Sequence, residues 1–247
     1  MIRRMFPLVF WLLAVAHPAL ADRITVAVAS NFLTTAQDIS AAYSAQTGHE
    51  VALVHGSTGK LFAQIVAGAP YDVFLSADAA RPERLAQAGR VAETGIKPYA
   101  IGHLALVHGS STGPGSLNEI LTRPGLRIAV ADPAIAPYGA AARDVLREFR
   151  GEEWRRNLVY GESVGQAFAF VATGNADAGL VALSQAMTYQ GDLWSLTVPD
   201  ELHAPIRQDA ALLKRAENSE AARAFLEFLG GEFTREILLA QGYEVPQ

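Results

Sequence analysis

The chain has 247 residues, half of them hydrophobic and 18% charged, and no cysteine. This is a globular composition, not that of a disordered or coiled chain, and the length favours two lobes over one core. The lack of cysteine excludes disulfides, thiolate metal centres and a cysteine nucleophile, while a net charge of −5 without any basic run argues against nucleic acid as a partner.

Arg3 and Arg4 open the chain, an apolar stretch follows over residues 6–16, and Ala19, Leu20 and Ala21 fit the small-x-small cleavage rule. Residues 1–21 therefore read as a secretory signal peptide cleaved after Ala21. The stretch is about half the ~20 residues that a spanning helix needs. The expected product is a soluble periplasmic protein starting at Asp22, with no direct membrane insertion and no lipid-bearing cysteine. Removing the two arginines of this leader takes the net charge to −7.

Strand-then-helix patterns follow in order. Residues 24–29 predict a buried strand leading into Ser30 and Asn31, then a helical stripe of Phe32, Ala36, Ile39 and Tyr43. Residues 51–54 predict a second strand; a turn over 56–59 leads to Leu61, Phe62, Ile65 and Val66. Residues 72–75 predict a third strand, with a helix over 82–88. Residues 99–107 read as one longer apolar strand, followed by a turn-rich stretch over 109–116. Alternation then resumes. A strand over 127–131 leads through Tyr138 and Gly139 to a helix carrying Ala142, Val145, Leu146 and Phe149. A strand over 157–160 leads through Ser163 to a helix carrying Val164, Ala167, Phe168 and Val171. Strands over 178–182 and 205–213 and helices over 217–230 and 232–241 complete the chain. Such alternation predicts parallel sheets with crossover helices.

Four of these turns share a chemistry. Ser30-Asn31, Ser57-Thr58, Tyr138-Gly139 and Ser163-Val164 each open a helix, whose first N–H groups lack internal partners and carry the positive end of the dipole. Such ends bind anions without Lys or Arg. Each also reads as an ordinary N-cap, and the sequence does not say whether the four converge.

Other motifs are weaker. The segment around Gly56 and Lys60 lacks the first glycine and the Ser/Thr of a phosphate-binding P-loop, with Val54 and Leu61 at those places. His49, His55, His103, His108 and His203 show no zinc-type spacing; His103 and His108, five apart on one strand, would face opposite sides. Lys60 reads as a solvated residue at a helix start. A secreted serine hydrolase is the alternative of another class, although the G-x-S-x-G elbow is absent.

From about Ile24 onward the chain resembles the molybdate-binding proteins of bacterial ABC importers. The resemblance rests on residues 27–32 (AVASNF), 56–59 (GSTG), 68–78 (GAPYDVFLSAD), 132–139 (DPAIAPYG), 162–166 (ESVGQ), 176–182 (ADAGLVA) and 241–243 (QGY). It implies an α/β, two-lobed periplasmic binding fold of the second type, with a ligand cleft between lobes joined by two crossing strands near 99–104 and 204–210. Lobe 1 would comprise residues 22–101 and 205–247, and lobe 2 residues 102–204. The implied function is capture of molybdate, and with it tungstate, by a monomer that delivers it to the permease and ATPase of an ABC importer, without catalysis. The implied ligand contacts are Ser30, Asn31, Ser57, Thr58 and the backbone N–H groups of Tyr138 and Val164. No cofactor or cation site is implied; molybdenum would enter as the oxyanion. Some relatives add a tyrosine hydroxyl where this chain has Ala182, which would make Asn31 carry more of the binding here. Another oxyanion (sulfate, phosphate, chromate or a small organic anion) is the alternative ligand.

Overall fold

The computed structural model describes residues 22–110 and 115–246; the expected signal peptide and its cleavage point lie outside them. The first sheet takes β1 (Arg23–Ala29), β2 (Glu50–Gly56), β3 (Val73–Leu75), β4 (Val91–Gly102) and, from far down the chain, the strand Ile206–Leu213, numbered β10. Its order is β2-β1-β3-β10-β4, with β1 parallel to β2 and β3, and β10 antiparallel to β3 and β4. The second sheet takes β5 (Leu104–His108), β6 (Ile128–Ala131), β7 (Leu158–Gly161), β8 (Ala178–Ala182) and β9 (Trp194–Thr197), in the order β7-β6-β8-β5-β9. Both sheets repeat one plan: three parallel strands, as the alternation predicts, then an antiparallel strand and a fifth strand antiparallel to that one, which it does not predict.

The helices are α1 (Leu33–Thr47), α2 (Thr58–Val66), α3 (Ala80–Gln87), α4 (Leu117–Leu121), α5 (Pro137–Arg150), α6 (Val164–Ala172), α7 (Leu183–Thr188), α8 (Glu220–Leu229) and α9 (Glu232–Ala240). Among the described residues, none is long and apolar enough to cross a membrane. The stripe Phe32, Ala36, Ile39 and Tyr43 is fully buried on the first sheet. Burying each large side chain there contributes about 1.5–3 kcal/mol. The Tyr43 hydroxyl donates to the Ala221 carbonyl at 2.8 Å and fastens α1 to α8, so the C-terminal helices pack on the first sheet's core. Ala142, Val145, Leu146, Val164, Ala167 and Val171 fill the core of the second sheet.

Three expectations need correction. Residues 99–107 are not one strand: β4 ends at Gly102, β5 starts at Leu104, and the two belong to different sheets. Both halves are apolar because both are buried, so hydropathy hides the break. The turn at Ser30 first forms a 3-10 turn over Ser30–Phe32. The helix read over 217–230 starts only at Glu220, where the Ser219 hydroxyl accepts the Ala222 N–H at 3.2 Å and caps it.

Candidate functional site

Ser30, Asn31, Ser57, Thr58, Tyr138 and Val164 all line one small cavity between the two sheets. It offers about 10 Å³ of room for the centre of a water-sized sphere, and Ala29, Gly56, Ala77, Ala136 and Pro137 complete its wall. None of these eleven residues is charged. The four turns thus converge, two from each sheet, which the sequence left open.

Local structure explains the placement. β1 and β2 run parallel, so their C-terminal ends, Ala29 and Gly56, lie in register and deliver both polar turns to one edge. β6 and β7 are likewise parallel, with Ala131 paired to Gly161. Thr58 and Val164 are the first residues of α2 and α6, and Tyr138 the second of α5 after Pro137. Proline at the first position sacrifices no bond, since that N–H has no intrahelical acceptor.

Three hydroxyls are set in the same way. The Ser57 Oγ accepts the Lys60 N–H at 3.4 Å, the Thr58 Oγ1 accepts the Ala77 N–H at 3.2 Å, and the Ser30 Oγ accepts the Gly165 N–H at 3.1 Å, across the cleft. A hydroxyl that accepts from the backbone keeps its own proton to donate. No acceptor among the described residues takes the proton of any of the three.

Asn31 lines the same wall. Its side chain is buried, but its Nδ2 donates to Gln208 Oε1 at 2.9 Å and to Tyr243 Oη at 3.3 Å. Its Oδ1 is buried without a partner. Ala182, the last residue of β8, is buried and offers no hydroxyl. Sequence reasoning missed the residues around Asn31: Gln208 and Tyr99 on the crossing strands and Tyr243 near the C-terminus. The Tyr99 hydroxyl reaches Gln208 Oε1 at 3.1 Å and the Ser76 carbonyl at 3.2 Å; the Tyr243 hydroxyl donates to the Asn31 carbonyl at 2.9 Å. The one available signal was Gln208 and Asp209 interrupting an apolar strand.

Burial pushes the phenols of Tyr99 and Tyr138 well above their ordinary range, and raises that of Tyr243 to about 12. All three remain neutral hydroxyls at ordinary pH. Gly102 makes room for this cluster. A Cβ there would fall 2.0 Å from the Tyr138 hydroxyl and 2.7 Å from Gln208 Nε2.

Outside the cavity lies a larger chamber of about 690 Å³ on the same measure, lined among others by Leu33, His55, Lys60, Glu162, Phe168 and Tyr189. Lys60 is not simply solvated: its Nζ pairs with Glu162 at 2.6 Å across the mouth of the cleft. His103 lies between the two strands rather than within one. Its Nδ1 faces Asp200 at 3.0 Å and its Nε2 faces Glu244 at 3.4 Å. The ligand atoms of these three residues lie within 4.8 Å of one another, a grouping that spacing alone did not reveal.

Residues 24–244 match the family described as bacterial extracellular solute-binding protein. The chain is 40% identical to the molybdate-binding protein of Rhodobacter capsulatus, covering 94% of this chain and 92% of that one. It is also 40% identical to the molybdate-binding protein of Azotobacter vinelandii, covering 92% of each. The solved structure of the Azotobacter vinelandii periplasmic molybdate-binding protein superposes with a TM-score of 0.84 at 36% identity, covering 91% of this chain and all of that one. Two α/β lobes around a neutral cleft, over almost the whole described length, thus go with sequence kinship, and the chain belongs to the bacterial extracellular solute-binding protein family.

Proposed function

We propose that this protein captures a tetrahedral oxyanion dianion, molybdate and with it tungstate, in the small cavity, and hands it as a monomer to the membrane subunits of an ABC importer. The carrying observation is the wall of that cavity: three hydroxyls with unused protons and three helix N-termini, without a charged residue. The names of the relatives point to the same ligand. On this reading the leader is removed after Ala21, the protein works outside the cytoplasm, and the metal is cargo.

Neutral donors suit this ligand. A fully ionised tetraoxoanion accepts at every oxygen, whereas a protonated one would direct a proton against a donor. The cage therefore selects the dianion. Its fixed size would favour the larger molybdate and tungstate over sulfate. Each hydrogen bond to the charged ligand contributes about 1.5–3 kcal/mol net. About six of them leave a large surplus over the several kcal/mol that association costs.

The test is calorimetric titration of the mature protein against molybdate, tungstate, sulfate, phosphate and chromate, with thermal shifts in parallel. Micromolar molybdate should raise the melting temperature, and Thr58→Ala and Asn31→Ala should each weaken binding. A clear response to another anion with none to molybdate or tungstate would refute the ligand assignment.

A further inference from the structure

Asn31 sits in the cavity wall with its acceptor unpartnered and its donor turned into the protein. An oxyanion cage needs the opposite. Leaving a buried acceptor unpaired is also unfavourable. The surrounding groups show what would reverse it. Gln208, wholly buried on the crossing strand β10, accepts from Asn31 through Oε1 at 2.9 Å and from the Tyr99 hydroxyl at 3.1 Å. Its Nε2 makes one long contact, 3.5 Å to the Tyr138 hydroxyl.

Exchanging oxygen and nitrogen on both amides gives the Asn31 oxygen a donor, gives up the 3.3 Å bond from Asn31 to Tyr243, and turns the Asn31 nitrogen to the cavity. The Gln208 Nε2 then donates its two protons to Asn31 Oδ1 and to Tyr99 Oη. The Tyr99 hydroxyl keeps its bond to the Ser76 carbonyl. Gln208 Oε1 accepts from the Tyr138 hydroxyl. Tyr243 still donates to the Asn31 carbonyl. Asn31 Nδ2 takes the place of the unpartnered oxygen, with its protons available to a ligand. The two amides are locked together: Asn31 cannot present a donor unless Gln208 also turns.

We propose that Gln208 is a positioning residue for anion capture: it turns in concert with Asn31, so that binding in the cavity reorients an amide on β10 of the first sheet. This rests on the oxyanion reading of the cavity. The ligand thereby acts on β10 through one named contact, an instance of differential interaction with two states.

Gln208→Glu tests it. The introduced carboxylate only accepts, so it holds Asn31 with its nitrogen inward. Molybdate affinity at pH 8 should fall at least 100-fold. Burial raises a carboxyl's pKa, and once protonated the group donates again. Affinity relative to wild type should therefore recover at least tenfold between pH 8 and 5.5. Gln208→Met, of similar size but without polar atoms, should lose about tenfold with no pH dependence relative to wild type. In the wild-type protein, the side-chain amide resonances of both Asn31 and Gln208 should shift on saturation with molybdate, a readout independent of whether the variants fold. Equal, pH-independent losses in the two variants, or a Gln208 amide signal that molybdate leaves unmoved, would overturn the proposal. Wild-type protein that binds no oxyanion would instead overturn the proposed function.

Discussion

Ser30→Ala probes the cavity most directly, because this hydroxyl does two things. It accepts the Gly165 N–H across the cleft at 3.1 Å, and it holds an unused proton toward the cavity. Losing a donor to a dianion costs about 1.5–3 kcal/mol, and losing the neutral cross-cleft bond about 0.5–1.5 kcal/mol. The sum, about 2–4.5 kcal/mol, corresponds to a rise in Kd of about 30- to 2000-fold at 1.36 kcal/mol per factor of ten. The donor to the dianion acts only in the liganded protein, whereas the bond to Gly165 is present without ligand, so the unliganded protein should lose no more than about 0.5–1.5 kcal/mol of stability. Ser163→Ala is the matched control. Its hydroxyl caps α6 by accepting the Gln166 N–H at 3.2 Å, but it does not line the small cavity. That variant should lose about 1 kcal/mol of stability and keep its affinity within threefold. Isothermal titration with molybdate, by competition where binding is too tight, reads both. A Ser30→Ala affinity within threefold of wild type, or equal affinity losses in the two variants, would refute the assignment.

Gly102→Ala places a methyl against the Tyr138 hydroxyl and should cost about 1–3 kcal/mol of stability; a melting scan showing no loss would mean the cluster has slack. Lys60→Gln removes an exposed pair across the cleft mouth. It should weaken molybdate binding less than about fivefold and flatten its salt dependence; titrations at two ionic strengths check this. Alkaline pH should unfold the protein through its buried phenols. Their folded pKa values are raised, so their stabilisation is complete below the unfolded value near 10 and, for Tyr243, is lost as pH rises toward about 12. With Tyr43, Tyr99 and Tyr138 shifted in the same direction, the slope should approach about 5 kcal/mol per pH unit for four protons. Tyr243→Phe should lower it by about a quarter in denaturant titrations between pH 10 and 11.

Much of the site was legible because its chemistry is local. A turn that caps a helix carries its signature in consecutive residues, so Ser30, Ser57, Thr58, Tyr138 and Val164 could be found one turn at a time. Convergence could not, because it depends on the register of β1 with β2 and of β6 with β7. The break at His103 was hidden for another reason: two strands buried in different sheets share one hydropathy. The partners of Asn31 were beyond reach, since Gln208 and Tyr243 lie 177 and 212 residues away. So was Glu162 as the partner of Lys60, 102 residues on.

The closed arrangement is held by a few weak links, and that is what makes it responsive. Across the cleft, the Gly59 N–H donates to the Ile135 carbonyl at 2.8 Å, Gly165 to Ser30 at 3.1 Å and the Ser184 hydroxyl to the Asn31 carbonyl at 3.3 Å. A Cβ on Gly59 would stand 2.8 Å from the Ile135 carbonyl oxygen, so only glycine lets the lobes meet so closely there. Each neutral bond contributes about 0.5–1.5 kcal/mol net, which leaves closure near balance once the entropy of fixing the lobes is counted. A ligand that bonds to both lobes at once adds to these links and favours the arrangement in which they are made. The same reasoning explains the absence of a cation in the cavity wall. A fixed Lys or Arg buried there would favour closure only when paired and would repel nothing when empty; neutral donors leave the open and closed forms close in energy until a dianion arrives. With a net charge of −5 on the chain, attraction over distance is weak, so discrimination falls to hydrogen-bond geometry inside the cleft.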